Sequence, residues 1–261
     1  MLYMMRNKKV LFIFFCFFLI LQPSPSIAQT IDSNNRKVLS DCTTLYCYIK
    51  DLFNGSNVYK FTPQKIWEES HERIVLLEVY NEKEEKISYG SGVVINENGD
   101  VLTNLHVISG GYYVRIIHAD KKTKTIDSLF QIDSTLDLAL LDVGSFNEKY
   151  IEVQQKQSQV GDPIVTISSP LGLINTLSVG WISGIRGEQN RQRIQFSAPV
   201  DSGSSGGALL DGTGRLVGLI SNSQISSANI NYAVPSSYIN TFLQIKQMKR
   251  PIKTLLEGDT K

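Results

Sequence analysis

The chain has 261 residues, 42% of them hydrophobic, with 26 basic and 25 acidic side chains and a formal net charge of +1. That length can bury a sizeable core and admits one large domain or two small ones. Nearly balanced charge, with no basic block in the periodic segments, argues against nucleic acid as the main partner.

Residues 1–28 read as a secretory signal peptide. Arg6, Lys8 and Lys9 make a basic start, Val10 to Leu21 is an apolar run short of a membrane span, and Pro23 and Pro25 end it. Ser26 and Ala28 are small residues ahead of Gln29, where cleavage is expected; an uncleaved anchor is the alternative. Cys16 lies inside the run rather than at its end, which speaks against lipoprotein processing. Export to a periplasm or beyond the cell leaves no stable membrane span and places the chain where disulfides form. Cys42 and Cys47 then remain, close enough for a small local disulfide loop; without a nearby His, metal binding is the poorer reading.

Residues 29–61 are a polar lead-in rich in Asn, Ser, Thr and Gly. A short helix is expected over 64–71, after Pro63. Strand formers follow at 74–80 and 91–96, with a hairpin signal at Asn98-Gly99-Asp100. Further strands are expected at 101–103, 112–118, 125–132, 138–143, 163–168, 176–185, 192–199, 207–210, 215–222 and 230–234. Short, evenly spaced strands without crossover helices predict an all-β fold, barrels or a sandwich. One amphipathic helix is predicted over 236–248, with Ser236 as N-cap and Ile239, Phe242, Leu243, Ile245 and Met248 on its apolar face. A charged tail, 249–261, closes the chain.

Three segments carry candidate chemistry. His106 follows Thr103-Asn104-Leu105 at a strand end, Asp137 opens the apolar run Leu138-Ala139-Leu140-Leu141, and Ser205 lies in the run Asp201-Ser202-Gly203-Ser204-Ser205-Gly206-Gly207. A serine hydroxyl is a poor nucleophile until an imidazole takes its proton, and a carboxylate on the far ring nitrogen fixes the tautomer and stabilises the imidazolium. Asp133 and Asp142 are rivals for the acid, and Ser204 for the nucleophile. His71 and His118 lack such surroundings. No cofactor is needed for this chemistry, and no metal cluster stands out.

This ordered set resembles the chymotrypsin-like serine proteases and, more narrowly, the HtrA/Deg family. The matching stretches are Gly90-Ser91-Gly92, Thr103-Asn104-Leu105-His106-Val107, Asp137-Leu138-Ala139, Gly203-Ser204-Ser205-Gly206-Gly207, Val160-Gly161-Asp162-Pro163, Ser169-Pro170-Leu171-Gly172 and Asn231-Tyr232-Ala233-Val234-Pro235. The resemblance implies a trypsin-like protease domain over 62–248, built as two six-stranded antiparallel β-barrels with a C-terminal helix. It implies a triad of His106 and Asp137 from the first barrel and Ser205 from the second, with the amides of Gly203 and Ser205 as oxyanion hole. It also implies loops 169–176 and 186–193 that can rest disordered.

By the same resemblance Val200, Ile220, Ser221, Asn222 and Ser223 line the specificity pocket. With Asp201 at the loop and no acid at the pocket base, a small or medium aliphatic side chain is expected before the scissile bond. Two departures stand out. Ser204 replaces the family's usual Asn or Asp, and only residues 236–261 follow Pro235, short of the PDZ domain that many relatives carry. Tyr59 and Phe61 lie where the family makes trimer contacts, so a homotrimer and simple packing of the lead-in both fit. The function implied is that of a secreted serine endopeptidase acting on proteins or peptides, in degradation or processing of unfolded or exported proteins. The alternative is a silent, chaperone-like or peptide-binding module on the same fold.

Overall fold

The computed structural model describes residues 62–144, 149–188, 191–221, 230–245 and 248–256. Residues 1–28, expected as a signal, the lead-in, Cys42, Cys47, Tyr59, Phe61, Asn222 and Ser223 lie outside the described residues. Those described belong to one compact unit, Asn57–Lys261.

Helix α1 (Pro63–Ser70) opens the fold with Pro63 at its first position and Thr62 as N-cap, its side chain accepting the Lys65 N–H. Ile66 is its buried anchor. The first sheet is built from β1 (Ile74–Tyr80), β2 (Lys86–Val94), β3 (Val101–Thr103), β4 (Tyr113–Ile117), β5 (Thr123–Ile126), β6 (Ser128–Asp133) and β7 (Leu138–Leu141), with the one-turn helix α2 (Leu105–Ile108) after β3. The stretch expected as one strand over 125–132 is two, broken at Asp127. The second sheet holds β8 (Pro163–Ser168), β9 (Thr176–Arg186), β10 (Arg193–Phe196), β11 (Ala208–Leu210), β12 (Leu216–Ile220) and β13 (Asn231–Pro235). Helix α3 (Ser236–Gln244), strand β14 (Arg250–Pro251) and a 3₁₀ turn (Ile252–Leu256) end the described chain.

The second sheet closes into a six-stranded barrel in the order β10-β13-β12-β11-β8-β9, antiparallel throughout. The first, called the first barrel below, does not close: it is an eight-stranded half-barrel curl in the order β14-β6-β7-β3-β2-β1-β4-β5, the eighth strand being β14 added at β6. Part of the segment read as a charged tail is therefore structured, because Ile252 is fully buried in the first sheet's core and its N–H donates to Asp127.

Three apolar clusters explain the continuous hydrophobic runs. One fills the first barrel (Val75, Leu77, Val101, Val114, Ile116, Leu129) and one the second (Ile164, Ile182, Phe196, Leu209, Val217). A third lies between the barrels and under α1 and α3, with Ile66, Leu102, Val165, Leu219, Ile239 and Phe242. Strand β7 shows the logic. Ala139 and Leu141 point into the first barrel, Leu138 and Leu140 into the shared layer, and all four are buried.

Helix α3 stops four residues short of the expected Met248. Ile245 turns extended to send the chain toward β14, so Ile245 and Met248 stand 56% and 74% exposed. Its N-cap is Pro235, not Ser236, which is buried in the first turn.

Candidate active site

His106 is presented by α2, directly after the buried strand β3. A one-turn helix leaves its first amides without internal partners. Asp137 supplies them: its main-chain carbonyl accepts the Leu105 N–H at 3.3 Å, and its Oδ1 accepts the His106 N–H at 2.9 Å. The Asn104 side chain also donates to the Asp137 carbonyl, at 3.0 Å. Asp137 stands just before β7 in the left-handed region (φ 62°), where Asp is among the few residues other than Gly that settle readily. That turn aims its second oxygen, Oδ2, at the His106 ring, 2.7 Å from Nδ1. Ser221, one residue past β12, donates its hydroxyl to the same Oδ2 at 3.1 Å.

A carboxylate on Nδ1 puts the ring proton there and leaves Nε2 free to accept one. The His106 side chain is 45% exposed and that of Asp137 25%, so the ring faces solvent while the carboxylate is shielded behind it.

Ser205 lies in the turn before β11 and is 8% exposed. Two glycines let that turn approach the first barrel. A Cβ on Gly206 (φ 82°) would stand 2.1 Å from the Ser91 carbonyl oxygen and 2.4 Å from Thr103 Oγ1. A Cβ on Gly203 (φ 91°) would stand 2.6 Å from the Tyr89 ring and 2.8 Å from the Ser169 carbonyl oxygen. The turn's carbonyls are tied in sequence. Ser202 accepts from the Leu171 N–H at 2.7 Å, Ser204 from Gly207 at 2.9 Å, and Ser205 from Ser91 at 2.8 Å. Because a trans peptide carries C=O and N–H on opposite sides, tying the Ser202 and Ser204 carbonyls turns the Gly203 and Ser205 amides the other way.

The two halves meet at Gly90. A Cβ there would lie 2.7 Å from the side chain of Val107, the residue after His106, and 3.1 Å from the Ser205 carbonyl. On the far side Gly206 donates to Ile220 at 2.8 Å, next to the Ser221 that holds Asp137. Ser204 is fully buried, and its hydroxyl accepts the Asp201 N–H at 3.1 Å.

Of the residues expected to line the specificity pocket, Ile220 is fully buried in the second barrel and Val200 packs against that core. Ser221 turns its hydroxyl to Asp137. Two further residues escaped the sequence reading. The Ser91 hydroxyl donates to the Gly203 carbonyl and accepts from the Ser169 N–H, both at 2.8 Å. Arg193 donates to the carbonyl of Leu136, beside Asp137. Ser91 had a signal in its Gly-Ser-Gly setting; Arg193, in a run of polar residues, had none. Among the described residues no group of His, Cys, Asp and Glu could hold a metal ion, and no helix is long and apolar enough to cross a membrane.

Residues 90–219 match the family model of the trypsin-like peptidase domain. HhoB of Synechocystis sp., a serine protease by name, is 30% identical over 155 residues, covering 56% of this chain and 37% of its own. A DegP-like periplasmic serine endoprotease, by name, of Brucella suis biovar 1 is 33% identical over 164 residues, covering 59% of this chain and 32% of its own. The match thus spans less than half of either relative's length. The crystal structure of the serine endoprotease from Yersinia pestis has a TM-score of 0.62 at 25% identity, over 70% of this chain and 66% of that one. Residues 90–219 thus match a trypsin-like peptidase domain, and over that stretch the chain is similar to the HtrA and DegP serine proteases.

Proposed function

We propose that this chain is an exported serine endopeptidase that cleaves unfolded or exported proteins through an acyl-enzyme. The observation that supports it most is the hydrogen-bonded run Ser221–Asp137–His106, set beside a turn whose Gly203 and Ser205 amides face away from tied carbonyls. In this reading the Ser205 Oγ attacks the scissile carbonyl carbon while His106 Nε2 takes its proton. Asp137 stabilises the imidazolium that forms. The Gly203 and Ser205 amides receive the charge that develops on the carbonyl oxygen. His106 then returns the proton to the departing amine, and water repeats the sequence on the acyl-enzyme to free Ser205.

Export rests on the reading of residues 1–28 as a signal, and the Brucella relative is periplasmic by name. A small or medium aliphatic side chain before the cleaved bond is the specificity we expect. Homotrimeric assembly through the lead-in is the matching oligomeric reading, which light scattering tests.

The deciding experiment is cleavage of casein by the purified protein and by Ser205→Ala. The variant loses about a thousandfold or more of the parent's rate, and a fluorophosphonate probe labels Ser205, not Ser204. Equal cleavage by both proteins sinks the proposal. A parent that binds unfolded clients without cleaving them favours the silent, chaperone-like alternative.

A further inference from the structure

Arg193 begins β10 on the second barrel, paired with Arg186 of β9. Its side chain leaves that barrel for the first. One guanidinium nitrogen, Nη2, donates to the Leu136 carbonyl at 3.2 Å, and Nη1 donates to the Gln192 carbonyl, also at 3.2 Å. The N–H of the same Leu136 donates to Asp133 Oδ1 at 2.9 Å, as does that of Thr135. Leu136 is thus held by its amide from within the first barrel and by its carbonyl from the second.

The held carbonyl belongs to the peptide that leads into the left-handed Asp137. Fixing one side of a planar peptide fixes the other, so the grip on Leu136 sets the direction in which Asp137 starts. The guanidinium is also partly desolvated. Burial pulls its pKa below the usual arginine value, opposed first by the charge of Asp137 and then by Tyr238 and Asp133. Keeping a cation there costs stability that an apolar residue of similar volume would not.

We propose that Arg193 is a positioning residue for the reaction: it docks the 133–137 turn of the first barrel onto β10 of the second and so aims the Asp137 carboxylate at His106. It acts through Asp137 and touches no reacting atom. The inference rests on the serine-peptidase reading above.

Its test uses Arg193→Met and Arg193→Lys, the former also in an Asp137→Asn background. kcat and KM are read on a peptide substrate, and the low-field signal of the His106 Nδ1 proton on ¹⁵N-histidine protein. Arg193→Met lowers kcat about 10- to 100-fold with KM within about twofold. Arg193→Lys, which keeps the charge without the planar fork, recovers part of that loss. In the Asp137→Asn background Arg193→Met adds less than about twofold, because no carboxylate is left to aim. Parental kcat in Arg193→Met overturns the inference, and so does its full loss repeated on top of Asp137→Asn.

Should Arg193→Met not fold, Arg193→Lys decides alone: lowered kcat at constant KM supports the inference and parental kcat overturns it. If the parent turns over no peptide, the serine-peptidase reading has failed, and the Nδ1 proton still judges Arg193. A shifted or lost signal in the Arg193 variant supports the grip on Asp137, and an unchanged one overturns it.

Discussion

In the first barrel, His106 and Asp137 are joined by side-chain chemistry. Asp137 receives the ring, two amides of α2, the Asn104 amide and the Ser221 hydroxyl. In the second barrel the Ser205 turn is set by backbone shape: two glycines at positive φ and carbonyls tied by neighbouring amides. In the first arrangement several donors share one residue, Asp137. The second depends on a close approach that allows no extra atom. The open curl of one sheet and the closed ring of the other fit this division, since a ring of paired strands holds a turn's backbone on both sides.

The sharpest break in that comparison is Gly206→Ala. An alanine there would keep a positive φ that costs about 1–3 kcal/mol and place its methyl 2.1 Å from the Ser91 oxygen. The turn has to move, and the Ser205 amide moves with it. Fluorophosphonate labelling and peptide cleavage fall about a thousandfold, while the urea midpoint drops as well. Cleavage near the parental rate would show that the turn can be displaced without losing its chemistry.

Ser91→Ala comes next and asks how far the second barrel's turn depends on the first. It strands the Gly203 carbonyl and the Ser169 amide in a buried site, at a cost of about 1–3 kcal/mol each. kcat falls about tenfold, less than for Gly206→Ala, because the Leu171 and Gly207 ties on the turn survive. Unchanged kcat with a lowered melting temperature would assign Ser91 to stability alone.

The legibility of the molecule follows the same division. The residues of the proposed chemistry, His106, Asp137 and Ser205, stood in recognisable settings, and the strands showed through apolar runs such as Leu138 to Leu141 and Gly/Asn turn signals. What escaped was long-range pairing. Nothing local to Arg193 says that its guanidinium reaches Leu136 across the barrels, or that Ser221 spends its hydroxyl on Asp137. The docking of Ile252 was hidden because Ile252, Leu255 and Leu256 make only a single turn of apolar spacing in a charged stretch, too short a pattern to mark a packed element. The helix over 236–248 was overextended for the converse reason: Ile245 and Met248 continue the apolar face in sequence, yet both are exposed.

The smallest expected effect is on stability and belongs to the first barrel alone. His118, just past β4, is 5% exposed, and burial holds its pKa down at about 4, against 6.5 for a free imidazole. It is therefore neutral in the folded protein at neutral pH. Between those two values the unfolded chain binds a proton that the folded chain refuses, so stability is full above pH 6.5 and falls as the pH drops toward 4. The loss amounts to about 3 kcal/mol at most. Urea unfolding at pH 7 and at pH 4.5 reads it, and His118→Gln, which has no titrating ring, loses less between the two. The second barrel carries no histidine, all three lying in the first half of the chain. An acid-induced loss equal in parent and His118→Gln would move its origin from this imidazole to the carboxylates.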